Sequence, residues 1–272
     1  MEAAVSRGEY CSCPTVAITG PIGATADDLA VGYLAIGDHS APGMPVHIPR
    51  NYFGFDVSDL RIGVIRAYNA QVFNPAITAA LTRVEDELVK RGATVVDISF
   101  PYLELVRQAH VITISSELYS AITSDPNSQQ MQFGTVALCS AFRHLSVKDY
   151  IHAQKLRTHA IHVLRNVFSR VDFLMSPTAA VTAPAFPRDT WAGISDTTLV
   201  TDIMRFSFLA NFAGTPAVTC PVGLDDSGLP VAVQFMGEWW SEGRLCALAK
   251  WMEGEFASLN EARAPGWDGV GF

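Results

Sequence analysis

Residues Phe206–Pro230 read FSFLANFAGTPAVTCPVGLDDSGLP, and Val231–Trp240 continue as VAVQFMGEWW. An apolar run of helical length is broken at Gly214-Thr215-Pro216, and a short β-rich segment follows at Ala217–Pro221. Asp225-Asp226-Ser227-Gly228 then reads as a hairpin turn, with Gly228 supplying the positive φ that such turns require. The alternation resumes at Val231–Gly237 as a further strand. Phe206–Leu224 contains no charged residue and is long enough to suggest a membrane span. Asn211, Gly214, Pro216 and Pro221 interrupt it, so it reads instead as a buried helix feeding a buried strand.

Upstream, the pattern alternates between strand and helix. Thr15–Ile18 alternates like a strand, Gly20-Pro21 turns, and Thr25 with Asp28 three residues later opens a helix through Leu34 in capping-box fashion. A Pro- and Gly-rich loop covers Gly37–Phe55. Leu60–Arg66 (LRIGVIR) reads as a strand, and Asn74-Pro75 caps a helix whose apolar positions Ile77, Ala80, Leu81, Val84 and Leu88 share one face. Gly92 ends that helix, and Ala93–Phe100 (ATVVDISF) is the next strand, completing a βαβ unit expected to be parallel and right-handed. Helices are expected at Leu103–Ile122 and Val147–Ser169, separated by a polar loop at Ser124–Gln132. A strand follows at Val171–Ser176, a helix at Thr197–Phe212, and a closing helix at Ser241–Leu259. The fold class implied is α/β, with a mixed, largely parallel twisted sheet flanked by helices.

Composition narrows the function. A chain of 272 residues builds one large core or two modest ones; a single α/β domain is expected. Charged residues make up 17%, against about 25% in ordinary soluble domains, and 49% are hydrophobic. This excess fits buried parallel strands together with apolar faces that something else covers. The net charge of −8 argues against a nucleic-acid partner, which needs a basic footprint. Five scattered cysteines with no C-x-x-C pair argue against a disulfide framework or zinc site and fit a reducing compartment. The opening MEAAVSRGEYCSCP lacks the apolar core of a secretory signal.

No motif supplies a nucleophile, a metal site or a phosphate loop. G-x-S-x-G is absent; Ser115-Ser116 lies in a helical stretch with no glycine turn to expose a hydroxyl. His152, His159 and His162 share one helix near one face, without a carboxylate or cysteine at ligand spacing, and read as surface histidines. No G-x-G-x-x-G or G-K-[ST] occurs. Neither a cofactor nor a metal is expected.

Several segments, in this order, resemble the amidase signature hydrolases. Gly20-Pro21-Ile22, followed by Thr25, Asp27, Asp28 and Leu29, resembles the helix entry that follows their catalytic segment. LRIGVIR with GATVVDISFP resembles their βαβ unit, and VDFLMSPTAAVTAP at Val171–Pro184 resembles the strand and loop bordering their substrate cavity. NFAGTPAVTCPVG at Asn211–Gly223 and GLPVAVQFMG at Gly228–Gly237 resemble their C-terminal signature. Within the family, AHVITISS at Ala109–Ser116, LSVKDYIHAQKLR at Leu145–Arg157 and TTLVTDIMRFSFLAN at Thr197–Asn211 resemble the plant-type fatty acid amide hydrolases. The likeness runs from about residue 15 to residue 259 of what is expected to be one incomplete domain over residues 1–272.

The resemblance implies hydrolysis of N-acyl amines or related amides by a Lys, a cis-peptide Ser and a nucleophilic Ser in a glycine- and serine-rich loop. In the family all three precede the Gly-Pro helix entry, here Gly20-Pro21. None is assigned to a position in this sequence, so no catalytic residue is named and the chain alone is expected not to hydrolyse amides. The resemblance also implies that Pro177, Thr178, Thr201, Met204 and Phe208 line the acyl pocket, although Met204 and Phe208 at spacing four equally suit plain core. The implied partner is a small-molecule acyl amide. A homodimer or a pairing with a full-length homologue would cover sheet edges and apolar faces left open, and without either the chain is expected to be poorly soluble. Two other readings stay open: a non-catalytic lipid-binding or regulatory module derived from the same fold, and an α/β enzyme of a different kind. The leaving amine and the cellular location are not legible in the sequence.

Overall fold

The computed structural model describes residues 13–37, 46–124, 140–185 and 196–256. The expected polar loop up to Gln132, part of the Gly37–Phe55 loop and the end of the closing helix lie outside the described residues. The chain divides into two compact units, one built from residues 21–99, 167–184 and 215–272 and the other from residues 1–20, 100–166 and 185–214.

The first unit holds the sheet. Its strands are β1 (Arg61–Val64), β2 (Thr94–Asp97), β3 (Phe173–Pro177), β4 (Ala217–Leu224) and β5 (Pro230–Gly237), in the order β2-β1-β3-β5-β4. β1 pairs parallel with both β2 and β3, and β5 runs antiparallel to β3 and β4. Four strands therefore share one direction and β5 alone opposes them, which is the mixed, largely parallel sheet that the sequence implies. The β4–β5 hairpin turns on Gly228, whose φ is +77°. Asp225 Oδ1 accepts from the backbone N–H groups of Ser227 and Leu229, each at 2.9 Å, and so fixes the turn. Pairing slips by one residue between Pro221 and Gly223, a bulge in the edge strand β4.

Helices α1 (Ala26–Ile36), α2 (Arg66–Asn69), α3 (Pro75–Lys90) and α8 (Glu242–Glu255) complete this unit. The α1 N-terminus is the expected capping box: Thr25 Oγ1 accepts from the Asp28 N–H at 3.1 Å, and the Asp28 carboxylate accepts from the Thr25 N–H at 3.2 Å. α3 starts at Pro75 with Asn74 Oδ1 accepting from the Ala76 N–H at 2.9 Å, and its buried positions are Ile77, Ala80, Leu81, Val84 and Leu88. The sequence named the same five. They pack, with Leu245, Leu248 and Met252 of α8, on the sheet face formed by Phe173, Met175, Val218, Cys220, Val233 and Phe235. Gly92 follows α3 at φ +97°, the left-handed turn needed before β2. The α1 and α8 helices are tied where Lys250 meets Asp27 at 2.8 Å and Glu253 accepts from the Ala26 N–H at 3.1 Å.

The second unit is helical: α4 (Leu103–Ser124), most of α5 (Val147–Phe168), α6 (Thr197–Ile203) and α7 (Phe208–Ala213). Ser146 and Asp149 cap α5 reciprocally, the Ser146 N–H donating to Asp149 at 2.9 Å and the Asp149 N–H to Ser146 Oγ at 3.2 Å.

Two expectations are overturned here. Thr15–Ile18 forms no strand: Cys13–Val16 is a turn closed by Ala17 N–H to Cys13 O at 2.9 Å, and Thr15 donates its backbone N–H to Glu117 at 3.1 Å. Its backbone groups are satisfied locally and by α4, so the alternation never reaches a ladder. The single helix expected over Thr197–Phe212 is two, separated by a turn at residues 204–207. Phe206 and Phe208 are 1% and 3% exposed. Phe206 lies within that turn and Phe208 opens the second helix.

Candidate functional site

In the sheet unit, Pro177 is the buried last residue of β3, opposite Val233, and Thr178 follows it half-buried. The Thr178 N–H donates to Ala232 O at 3.4 Å, and its hydroxyl lies 3.5 Å from that of Thr219. On the sheet face turned away from α3 and α8, Ser176, Gln234 and Thr219 form one cross-strand row over β3, β5 and β4. Gln234 is buried and its Nε2 donates to Ser176 Oγ at 3.4 Å. Sequence reasoning missed this row, although its signal was present: Thr219 and Gln234 occupy alternate positions in otherwise apolar strands.

In the helical unit, Thr201 is half-buried on α6, and Met204, 40% exposed, ends that helix with its N–H bonded to Val200 O at 3.0 Å. Phe208 opens α7, buried against the His110 ring at 6.2 Å. The break between α6 and α7 means that Met204 and Phe208 do not share a helix face, contrary to their spacing. Val200, Ile203 and Met204 leave an apolar exposed side on α6, at 47%, 40% and 40%. His110 was not singled out in the sequence, where it is one polar residue inside an apolar helix pattern. Burial, with the charge of Arg157 nearby, holds it down to about 4, so it is a neutral imidazole near pH 7. Its Nε2 is buried without a hydrogen-bond partner among the described residues, and its ring meets Phe212 edge-on at 5.8 Å.

Ser115 is buried within α4, and Ser116 Oγ donates back to Ile112 O at 2.7 Å. A lysine acting as base needs a depressed pKa; Lys250 is displaced the other way, raised by its hydrogen bonds to Asp27 and Glu253. His152 and His162 are exposed on α5, while His159 is half-buried beside Tyr102. Among the described residues no group of three or more His, Cys, Asp or Glu could hold a metal ion.

Two carboxylates in the sheet unit are displaced in opposite directions. Burial alone would raise Asp172, but the Arg61 N–H and the Arg244 guanidinium outweigh it and hold the group below the usual range. Burial raises Glu242, whose Oε2 has no hydrogen-bond partner among the described residues. A carboxyl whose folded pKa is raised stabilises the fold below its unfolded value and loses that contribution as pH rises through the folded one. Glu242→Gln is therefore expected to be more stable than the parent near pH 7, by less than about 1 kcal/mol because the group is partly solvated. The advantage should disappear as pH falls to about 4, as followed by thermal melts across pH. A Gln variant less stable at neutral pH would show that the charge is needed there.

Residues 4–246 match the Amidase family over most of the chain. This chain belongs to the amidase family. It is similar to the fatty acid amide hydrolase of Arabidopsis thaliana, with 32% identity over 96% of this chain and 45% of the relative. The Medicago truncatula fatty acid amide hydrolase is 30% identical over 91% of this chain and 43% of its own length. The chain thus spans somewhat under half the length of these two relatives. A solved bacterial aryl acylamidase of the amidase signature family superposes with a TM-score of 0.67 at 20% identity, covering 89% of this chain and 54% of that one. The mixed sheet and its flanking helices are therefore an amidase arrangement, as the resemblance implied.

Proposed function

We propose that this amidase-family chain provides the sheet scaffold and an acyl-binding wall for hydrolysis of N-acyl amines. The wall comprises Thr201, Met204 and Phe208 in the helical unit; Pro177 and Thr178, at the end of β3, are separate candidate substrate contacts within the sheet unit. The observation carrying the reading is the exposed apolar side of α6 at Val200, Ile203 and Met204, which suits a hydrocarbon chain. The similarity to plant fatty acid amide hydrolases at about 30% identity supports the same substrate class. In this reading the groups that break the amide bond are not among the described residues, consistent with the helix-bound Ser115 and Ser116 and the raised Lys250.

The test is the melting temperature of the chain with N-acylethanolamines of increasing acyl length. A ligand bound only by the folded state stabilises by mass action, and each buried methylene contributes about 0.8 kcal/mol, roughly four-fold in affinity. The shift should grow with chain length, shrink in Met204→Trp, and occur without release of amine. No shift for any length, or a shift indifferent to Met204→Trp, would refute the acyl wall.

A further inference from the structure

We propose that Met204 is a site of oxidation by peroxides, and that its sulfoxide removes the apolar character of the exposed side of α6. The methionines among the described residues are Met175, Met204, Met236 and Met252. Met175, Met236 and Met252 are 2%, 6% and 1% exposed, whereas Met204 is 40% exposed. A peroxide must reach the thioether sulfur to oxidise it, so burial shields the other methionines and leaves Met204 open. The thiols that would compete for the oxidant are shielded too. Cys13, Cys220 and Cys246 are buried. Burial pushes the Cys220 and Cys246 thiols up to about 12 and about 11, which leaves almost no thiolate to react.

Position makes the modification consequential. Val200, Ile203 and Met204 are spaced three and four residues apart, so they share one side of α6, and Val200 and Ile203 are themselves 47% and 40% exposed. Met204 ends the helix with its backbone held from both directions. Its N–H donates to Val200 O at 3.0 Å, and its carbonyl accepts from the Ser207 N–H at 3.2 Å and from Ser207 Oγ at 2.9 Å. The side chain can therefore change polarity while the turn at residues 204–207 keeps its hydrogen bonds.

In the reaction with hydrogen peroxide a sulfur lone pair attacks one oxygen, an S–O bond forms as the O–O bond breaks, and the departing hydroxide takes the proton of the attacked oxygen and leaves as water. The sulfur gives up one electron pair, and the peroxide is reduced by it. A soft apolar thioether becomes a dipolar acceptor that a hydrocarbon chain cannot satisfy. The effect on acyl binding rests on the wall proposed above; the selectivity of oxidation does not.

The experiment treats the whole chain with dilute hydrogen peroxide and maps sulfoxide peptide by peptide. Met204 should gain oxygen at least about ten-fold faster than Met175, Met236 or Met252, and methionine sulfoxide reductases should remove it. Fluorescence of anilinonaphthalene sulfonate, a dye for apolar surface, should fall as Met204 is oxidised, show no such fall in Met204→Leu, and start low in Met204→Gln. The melting temperature without ligand should stay unchanged on oxidation, which separates a change of polarity from unfolding. The apparent affinity for a long-chain N-acylethanolamine, read from its melting shift, should drop about ten-fold on oxidation, recover on reduction, and ignore peroxide in Met204→Leu. Oxidation of Met204 no faster than of the buried methionines, a dye signal indifferent to it, or a lowered melting temperature would each overturn the proposal. An N-acylethanolamine shift that survives complete oxidation of Met204 would overturn it and leave the acyl wall standing. Selective oxidation with loss of dye binding, but no N-acylethanolamine shift before or after, would uphold the oxidation site and remove the acyl wall.

Discussion

Replacing Phe235 with alanine is expected to lower the unfolding free energy by about 3–5 kcal/mol, enough to consume much of the stability of a domain whose total is about 5–15 kcal/mol. Phe235 is fully buried at the centre of β5, opposite Met175 of β3 and Val218 of β4. Its ring belongs to the core that α3 and α8 close. Because β5 is the strand that joins β4 to the parallel half of the sheet, a cavity there weakens both pairings. The check is the denaturant midpoint with the slope unchanged. Thr219→Ala, on the exposed side of β4, serves as the comparison and should change stability by less than about 0.5 kcal/mol. A Phe235→Ala loss below about 1 kcal/mol would mean that the covered face is not packed to ordinary density.

The helical unit has its own critical residue. Arg157 Nε donates to Phe212 O at 2.7 Å and Nη2 to Thr15 O at 2.7 Å, while its guanidinium lies over the Phe212 ring at 5.8 Å. One side chain thus satisfies a carbonyl in the last turn of α7 and another in the turn at Cys13–Val16. Arg157→Met keeps the aliphatic stem but removes two charge-assisted bonds and strands two acceptors, an expected loss of about 2–3 kcal/mol. Arg157→Lys should recover at most half, because an ammonium lacks the planar fork that reaches both carbonyls. The local readout is Cys13, which is 5% exposed. Its alkylation, followed by mass spectrometry, should accelerate in Arg157→Met, whereas Cys220, whose thiol burial pushes up to about 12, stays slow. Unchanged Cys13 protection would show that the turn is held by other contacts.

Local signals in the sequence were dependable where short-range physics sets the outcome. The apolar face of α3, the reciprocal cap Thr25/Asp28 and the positive φ at Gly228 were all legible, because each is decided within a few residues. Expectations failed where distant partners decide. The alternation at Thr15–Ile18 carries no information about whether a neighbouring strand exists, and Glu117, over a hundred positions away, takes the Thr15 N–H instead. The Thr197–Phe212 run has no proline or glycine to announce a break, yet a turn at residues 204–207 interrupts it. The candidate wall residues came from family resemblance, since nothing about Thr201 or Met204 taken alone distinguishes them. The row Ser176, Gln234 and Thr219 needed strand register, which a sequence does not display.

The irregular pairing at Pro221 and Gly223 bears on how this chain behaves when crowded. β4 borders the sheet, and a border strand is a template on which another chain can grow. A proline withholds one donor from such growth and the slipped register bends the template away from straightness. The outer margin of β4 is thereby a poor seed for fibrils, so clumping at high concentration should be amorphous rather than ordered along that margin.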